Sequence, residues 1–180
     1  GDYDVDGMTS TTMMVRVLTL LGGVVRYKIP HRFNDGYGLN MGIVDLIKKD
    51  NVGLLLTLDC GVTHVKEIDA VKSETSASVV VFDHHQLPDK VPSFDAMLNP
   101  KTYDETHGVY YLCTAGIVFK FIEYLSTRYD VIKSKQFLDL TALGTVADVV
   151  TLKGENRRLV YEGLFELSKR KNKGIQALLQ

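Results

Sequence analysis

Carboxylates recur at Asp2, Asp4 and Asp6 in the opening Gly-Asp-Tyr-Asp-Val-Asp-Gly, and that spacing is the first place in the chain where chemistry is indicated. Like charges at alternate positions repel, so a loop that gathers them needs a cation. Carboxylate oxygens suit magnesium, manganese or calcium, and a site that also takes imidazole leans toward manganese or zinc. The plain alternative is that Asp6-Gly7 is a turn dipeptide and nothing more. What separates the two readings is whether further ligands converge on the same place.

Further candidates stand where apolar runs stop. GLLLTL leads into Asp59, Cys60 and Gly61; VVVF leads into Asp83, His84 and His85; Asp148 lies inside LGTVADVV. In open parallel α/β sheets, ligands collect beyond the carboxyl ends of the strands, so residues distant in sequence can meet there. Each has its own plain reading. Asp59 could cap a following helix, and the histidines could be a solvated pair. Asp148 sits in an apolar helical stretch, where an unpaired buried carboxylate costs roughly several kcal/mol unless it meets a cation or reaches solvent.

The elements needed to deliver these groups are legible as an alternation. Apolar spacing predicts a helix over residues 9–21, capped by Thr9 or Ser10 and ended by Gly22 and Gly23. A strand over 24–29 stops at Pro30, and a loop over 31–40 carries Arg32, Gly36 and Gly38. Asn40 caps a helix over 41–49, followed by strand 53–58, helix 64–74, strand 78–82 and an edge strand at 96–98. This is the pattern of βαβ units, and it predicts an α/β fold with a parallel sheet flanked by helices. After Pro100 comes a polar, aromatic loop over 103–110, then a mostly helical part: 114–124, a segment over 136–150 bearing Asp148, 156–170, and a last helix opening at Gly174. The reading is one domain over 1–180, with a sheet core over 1–100 and a helical part over 101–180. GDYDVDG needs a hydrophobic strand ahead of it, so the sequence reads as a piece of a longer chain.

Composition sets limits. With 180 residues and 45% hydrophobic content the chain can bury a full core. A formal net charge of −1 gives no global attraction to nucleic acid, so any such binding must use a local basic surface. Two cysteines, Cys60 and Cys113, make no disulfide framework and fit a reducing, cytoplasmic setting. No apolar run approaches the roughly 20 residues of a membrane helix. Arg32 is the candidate substrate contact, because a guanidinium fork matches phosphate oxygens and the glycine-containing loop allows close backbone approach. Its plain reading is an arginine anchoring its own loop.

The motifs GDYDVDG, LDCG, DHH and TVAD, in this order from Asp2 to Asp148, resemble those of the DHH phosphoesterase superfamily. The intervening HRFNDGYGLN, LNP, TAGIVFKF and LDLTALGTVADVVTLKGENRRLV are most similar to the RecJ-like group of bacterial single-strand-specific 5′ exonucleases. The resemblance implies two divalent metal ions, manganese or magnesium. Asp4 and Asp6 would bind one each, and Asp59 would bridge them. His84 and Asp148 would complete the second ion's set. It implies that Asp2 is either a ligand to the first ion or an acceptor beside it, that Asp83 fixes an imidazole tautomer, and that His85 contacts phosphate. It therefore places Asp2, Asp83 and His85 in the catalytic machinery.

The activity that this resemblance implies is that of a two-metal phosphodiester hydrolase, the catalytic core of an exonuclease acting on single-stranded DNA from a 5′ end in repair and recombination. The resemblance also implies DHHA1-type and OB-like domains elsewhere in the parent chain, without which the 180 residues would degrade DNA poorly. Oligoribonucleotide or cyclic-dinucleotide phosphodiesterases and pyrophosphatases share the superfamily pattern and form the alternative substrate reading. A non-catalytic scaffold is the alternative of another class, and the retention of every candidate acid argues against it.

Overall fold

The computed structural model describes residues 1–179. Gln180, the end of the expected last helix, lies outside the described residues. The helices are α1 (Val5–Leu20), α2 (Gly42–Asp50), α3 (Val65–Glu74), α4 (Thr114–Ser126), α5 (Leu138–Ala147), α6 (Gly154–Ser168) and α7 (Lys173–Leu178). Short 3-10 turns sit at Pro100–Thr102 and Ser134–Phe137.

Three short apolar runs make the sheet: β1 (Leu54–Leu58), β2 (Ser78–Phe82) and β3 (Ala96–Leu98). They lie in the order β1-β2-β3 and both pairings are parallel, with Leu58 opposite Phe82 and Phe82 opposite Leu98. The register brings the three carboxyl ends level. Side chains alternate between faces along a strand, so Val79 and Val81 point into a cluster with Val44 and Ile47 of α2 and Ile68 and Val71 of α3. Leu58 and Phe82 point the other way, against Met13, Met14 and Val17 of α1, Val118 and Ile122 of α4, and Leu138 of α5. Burying one such side chain contributes roughly 1.5–3 kcal/mol. The sheet is thereby clamped on both faces while its carboxyl edge stays free for polar residues.

The helical part packs closely through small residues. A Cβ on Gly163 of α6 would stand 2.3 Å from the Leu138 carbonyl of α5. Arg158 of α6 reaches Glu123 of α4 at 3.2 Å, tying a second pair of helices together across the surface. No helix among the described residues is long and apolar enough to cross a membrane.

Several expected elements shift. The stretch 24–29 forms no strand and no ladder; Val24 is 98% exposed and Tyr27 70%. Its β-branched residues favour a pleated, half-buried surface, and that preference needs a partner strand to become a sheet. The first helix begins at Val5 rather than residue 9, because Asp4 is its cap and accepts from the Gly7 N–H at 2.8 Å. Thr9, an expected cap, lies inside that helix and donates to the Val5 carbonyl. Asn40 does accept from the Gly42 N–H at 3.0 Å, but the residue flanking α2 is Met41. Asp148 directly follows α5, in the helical stretch expected for it.

Candidate metal centre

The sheet's carboxyl edge sets out the first row of the site. Asp59 follows β1 and its N–H donates to the Phe82 carbonyl at 2.9 Å; Asp83 follows β2 and donates to the Leu98 carbonyl at 3.1 Å. Asp2 joins the same edge by donating to the Leu58 carbonyl at 3.1 Å. Asp59 has φ +64°, a left-handed conformation unusual for a residue with a side chain. Such backbone persists only where its surroundings over-determine it, and it is concentrated at functional sites.

Helix α1 supplies the second row. Asp4 spends one oxygen on capping the helix and stays exposed, whereas Asp6, two residues on, is buried. Its oxygens accept from the backbone N–H groups of Thr114 and Ala115, each at 2.7 Å. These belong to the first turn of α4, whose flanking Cys113 offers no side-chain bond. The unpaired N–H groups and the positive end of the helix dipole therefore meet a carboxylate from the far end of the sequence. Thr114 Oγ1 donates in turn to Asp59 Oδ1 at 3.0 Å. One helix N-terminus thus fixes two acids.

His84 stands where the rows meet. Its Nε2 lies 3.3 Å from Asp59 Oδ1, 3.6 Å from Asp148 Oδ2 and 3.9 Å from Asp6 Oδ2. Three sets each place one ligand atom per residue within 4.8 Å of the others: Asp6, His84 and Asp148; Asp2, Asp4 and Asp59; and Asp59, His84 and His85. Asp59 belongs to two of them, on the boundary between the neighbouring sets. Asp2 Oδ1 and Asp148 Oδ2 are buried without a hydrogen-bond partner among the described residues. Buried polar atoms are nearly always paired, so these two oxygens are aimed at something.

The electrostatics agree. Burial, with repulsion from Asp59, pushes the Asp6 carboxyl up to about 7. Burial and the nearby Asp4 raise Asp59 to about 8, and burial raises Asp148 to about 6 against the pull of His84. Asp2 is raised by burial as well. Crowded acids that resist ionisation gain most from a divalent cation, and a set of carboxylate oxygens with one imidazole matches manganese or magnesium chemistry. The residues fit the ions that the sequence suggests.

His85 is held differently. Its Nδ1 lies 2.7 Å from Asp83 Oδ1, and that bond raises the imidazole to about 9 although burial works against it. Burial also opposes the Asp83 charge, but hydrogen bonds from His85 and from the Val62 N–H outweigh it and hold the carboxyl below its usual range. Asp83 thus orients an imidazolium that is half exposed beside the acids. Tyr37 closes the ring of contacts, its hydroxyl 3.4 Å from both His85 Nε2 and the Asp59 carbonyl. Arg32 is exposed, with Cζ 5.2 Å from the centre of the Tyr3 ring; Tyr3 packs edge-on against Tyr37, and Tyr37 against His85. Among the described residues its guanidinium has no ion-pair partner. Cys60 is buried and its thiol is pushed up to about 12, which makes it a packing residue and no nucleophile.

Residues 1–145 match the DHH family, N-terminal domain. The chain belongs to the DHH family. Among curated DHH relatives, the single-stranded-DNA-specific exonuclease RecJ of Bacillus subtilis is 35% identical over the whole chain, which spans 22% of that protein's length. A crystal structure of exonuclease RecJ bound to manganese superposes with a TM-score of 0.88 at 35% identity, covering 99% of this chain and 45% of that one. RecJ from Thermus thermophilus superposes with a TM-score of 0.82 in complex with Mn2+ (32% identity, 99% of this chain, 25% of that one). Its complex with Mg2+ gives 0.64 (30% identity, 99% and 21%).

The DHH motifs name the charged groups but not their supports. Thr114, Ala115 and Tyr37 carry no acid or imidazole, and sequence reasoning passed over them as helix and loop. Thr114 is itself a residue that commonly caps a helix, so the opening Cys-Thr-Ala-Gly gives no sign that its N–H groups await Asp6. Nothing local marks Tyr37.

Proposed function

We propose that this DHH domain is the catalytic core of a RecJ-like, two-metal phosphodiester hydrolase that removes nucleotides from the 5′ end of single-stranded DNA. The observation that carries the reading is the convergence of Asp6, Asp59 and Asp148 on His84, with buried, unpartnered oxygens on Asp2 and Asp148. Asp4 and Asp59, with Asp2 beside them, would hold one divalent ion; Asp6, Asp59, His84 and Asp148 would hold the other. When bound, the pair of manganese or magnesium ions supplies Lewis acidity and a water nucleophile at neutral pH.

The chain's own residues do the rest. Thr114 and Ala115 keep both oxygens of Asp6 in place, and the Thr114 hydroxyl fixes Asp59, so the ligands need no rearrangement when substrate arrives. Asp83 accepts from His85 Nδ1, which orients the ring and favours its protonated form; that form would donate an N–H to a phosphoryl oxygen as charge develops there. Arg32 offers its fork to the 5′ phosphate. With Cys60 buried and inert, nothing here requires a covalent intermediate.

The 180 residues are read as one domain of a cytoplasmic repair and recombination enzyme, to which the DHHA1-type and OB-like parts implied by the resemblance would add a grip on the strand. The test compares 5′-phosphorylated single-stranded DNA, short RNA and pyrophosphate as substrates of the parent enzyme with manganese. Mononucleotide release from DNA supports the proposal, and turnover of pyrophosphate alone contradicts it. Asp59→Ala should abolish turnover while leaving the fold intact.

A further inference from the structure

The loop between β3 and α4 gathers Lys101, Tyr103, His107, Tyr110 and Tyr111, and the metal centre makes no use of them. Tyr103 stacks on His107 with ring centres 4.5 Å apart, and Lys101 Nζ lies 4.0 Å above the centre of the Tyr110 ring. Tyr111 packs edge-on against Tyr110 and donates its hydroxyl to Glu105. The loop that follows Asp148 closes the far wall. There Lys153 Nζ stands 5.9 Å from the Tyr111 ring centre.

Between the walls lies a groove of about 510 Å³, lined by Glu105, His107, Gly108, Tyr111, Lys153 and Gly154 among others. It is a built feature. Asn156 is buried and holds the two loops together by donating to the Tyr111 carbonyl at 2.6 Å and to the Thr151 carbonyl at 3.0 Å. Gly154 has φ +51°, and a Cβ there would stand 2.8 Å from the Gly108 carbonyl, so the loops pass at a distance that only glycine permits. Both loops that line the groove are tied to the candidate metal centre through the backbone. Asn99 donates to the His85 carbonyl at 3.0 Å and accepts from the Lys101 N–H at 2.8 Å, while Lys153 follows Asp148 by five positions.

We infer that this groove binds a nucleobase and its flanking phosphate from a single-stranded nucleic acid whose end lies at the metal centre. Aromatic faces next to cations, on the loops that adjoin a phosphate-cleaving site, suit unpaired bases, since every base has a face to stack and every linkage a negative charge. His107 and Tyr111 provide the ring surfaces and Lys153 the counter-charge. Lys153 is exposed and has no ion-pair partner among the described residues. The inference rests on the nucleic-acid reading of the site and adds to it a second contact point beyond Arg32.

The test measures anisotropy of a 5′-phosphorylated, labelled oligothymidylate titrated with the full-length parent enzyme in EDTA, so that hydrolysis plays no part. Tyr111→Ala should weaken binding by about 5- to 100-fold, in the range of one lost base stack. Tyr111→Phe, which keeps the ring and loses only the bond to Glu105, should bind as the parent does. Lys153→Ala should weaken binding and lower the slope of log affinity against log salt by about one. Manganese affinity and thermal stability of Lys153→Ala and Tyr111→Phe should match the parent. Unchanged binding by Tyr111→Ala and Lys153→Ala, with Arg32→Ala weakened, would overturn the groove and leave the nucleic-acid reading intact. Absence of oligonucleotide binding by the parent chain would overturn both.

Discussion

Asp6 and Thr114, 108 positions apart, are joined by a 2.7 Å hydrogen bond from the Thr114 N–H to Asp6 Oδ2, and the same threonine's hydroxyl reaches Asp59 at 3.0 Å. The candidate metal centre is therefore held together by the N-terminus of a helix that supplies none of its candidate ligands. Thr114→Val keeps the shape and backbone N–H but removes the hydroxyl. It should cost about 1–3 kcal/mol in urea unfolding, because a buried carboxylate loses its donor. It should also weaken manganese binding by about 10- to 100-fold, the usual effect of removing a group that orients a ligand. Calorimetric titration with manganese checks the second figure.

Asp6→Asn replaces one accepting oxygen with a donor facing an N–H group, and removes a ligand charge. The parent chain should gain about 2.7 kcal/mol of stability at manganese concentrations 100-fold above Kd. In Asp6→Asn that metal-dependent rise in Tm should shrink to what the ion held by Asp2, Asp4 and Asp59 supplies.

The pH dependence follows from Asp148, Asp6 and Asp59, raised to about 6, 7 and 8. Unfolded carboxyls titrate near about 4, so between about pH 4 and 8 the folded, metal-free chain holds protons that the unfolded chain has released. Their contribution to stability is fully present below about pH 4 and is lost as pH rises through about 6–8. Metal binding requires the ionised acids, so manganese should stabilise more strongly across the same window and should displace protons near pH 6. Titration calorimetry in buffers of different ionisation enthalpy reads those protons directly.

Asp83→Asn removes the charge that keeps His85 protonated. The imidazole, raised to about 9 in the parent chain, should return toward its ordinary value near about 6.5, as followed by NMR of the ring protons. Turnover by the parent enzyme should fall most steeply on the alkaline side.

Gly144 lies inside α5, where alanine would ordinarily favour the helix by about 1 kcal/mol. Here a Cβ would stand 2.5 Å from Thr9 Oγ1, 2.7 Å from the Ala115 Cβ and 3.2 Å from Asp6 Oδ1. Gly144→Ala should lower the unfolding midpoint despite the better helix propensity, and weaken manganese binding by displacing Asp6.

The alternation of β-rich and helical runs was readable because parallel strands buried on both faces are short and apolar, and 78–82 and 96–98 have the bounds that the residues suggest. Asp59 and Asp83 stood out as candidates because they follow the apolar runs that form β1 and β2, whereas Asp148 follows a helix and was reached through the motif resemblance. The stretch 24–29 misled, since strand-like residues say nothing about whether a neighbour exists to pair with. Asp4 misled in another way: its role as a cap pulled α1 four residues toward the N-terminus, a local bond that apolar periodicity does not register. Thr114 and Tyr37 stayed hidden because their contribution is geometric and arises only when distant segments meet.

The most direct test of the site is anomalous scattering from crystals of this chain soaked in manganese. Two peaks about 3.5–4 Å apart, with Asp59 between them and Asp4 and His84 on opposite sides, are the expected result. No peak among these residues, or a single ion held elsewhere on the chain, would contradict the account.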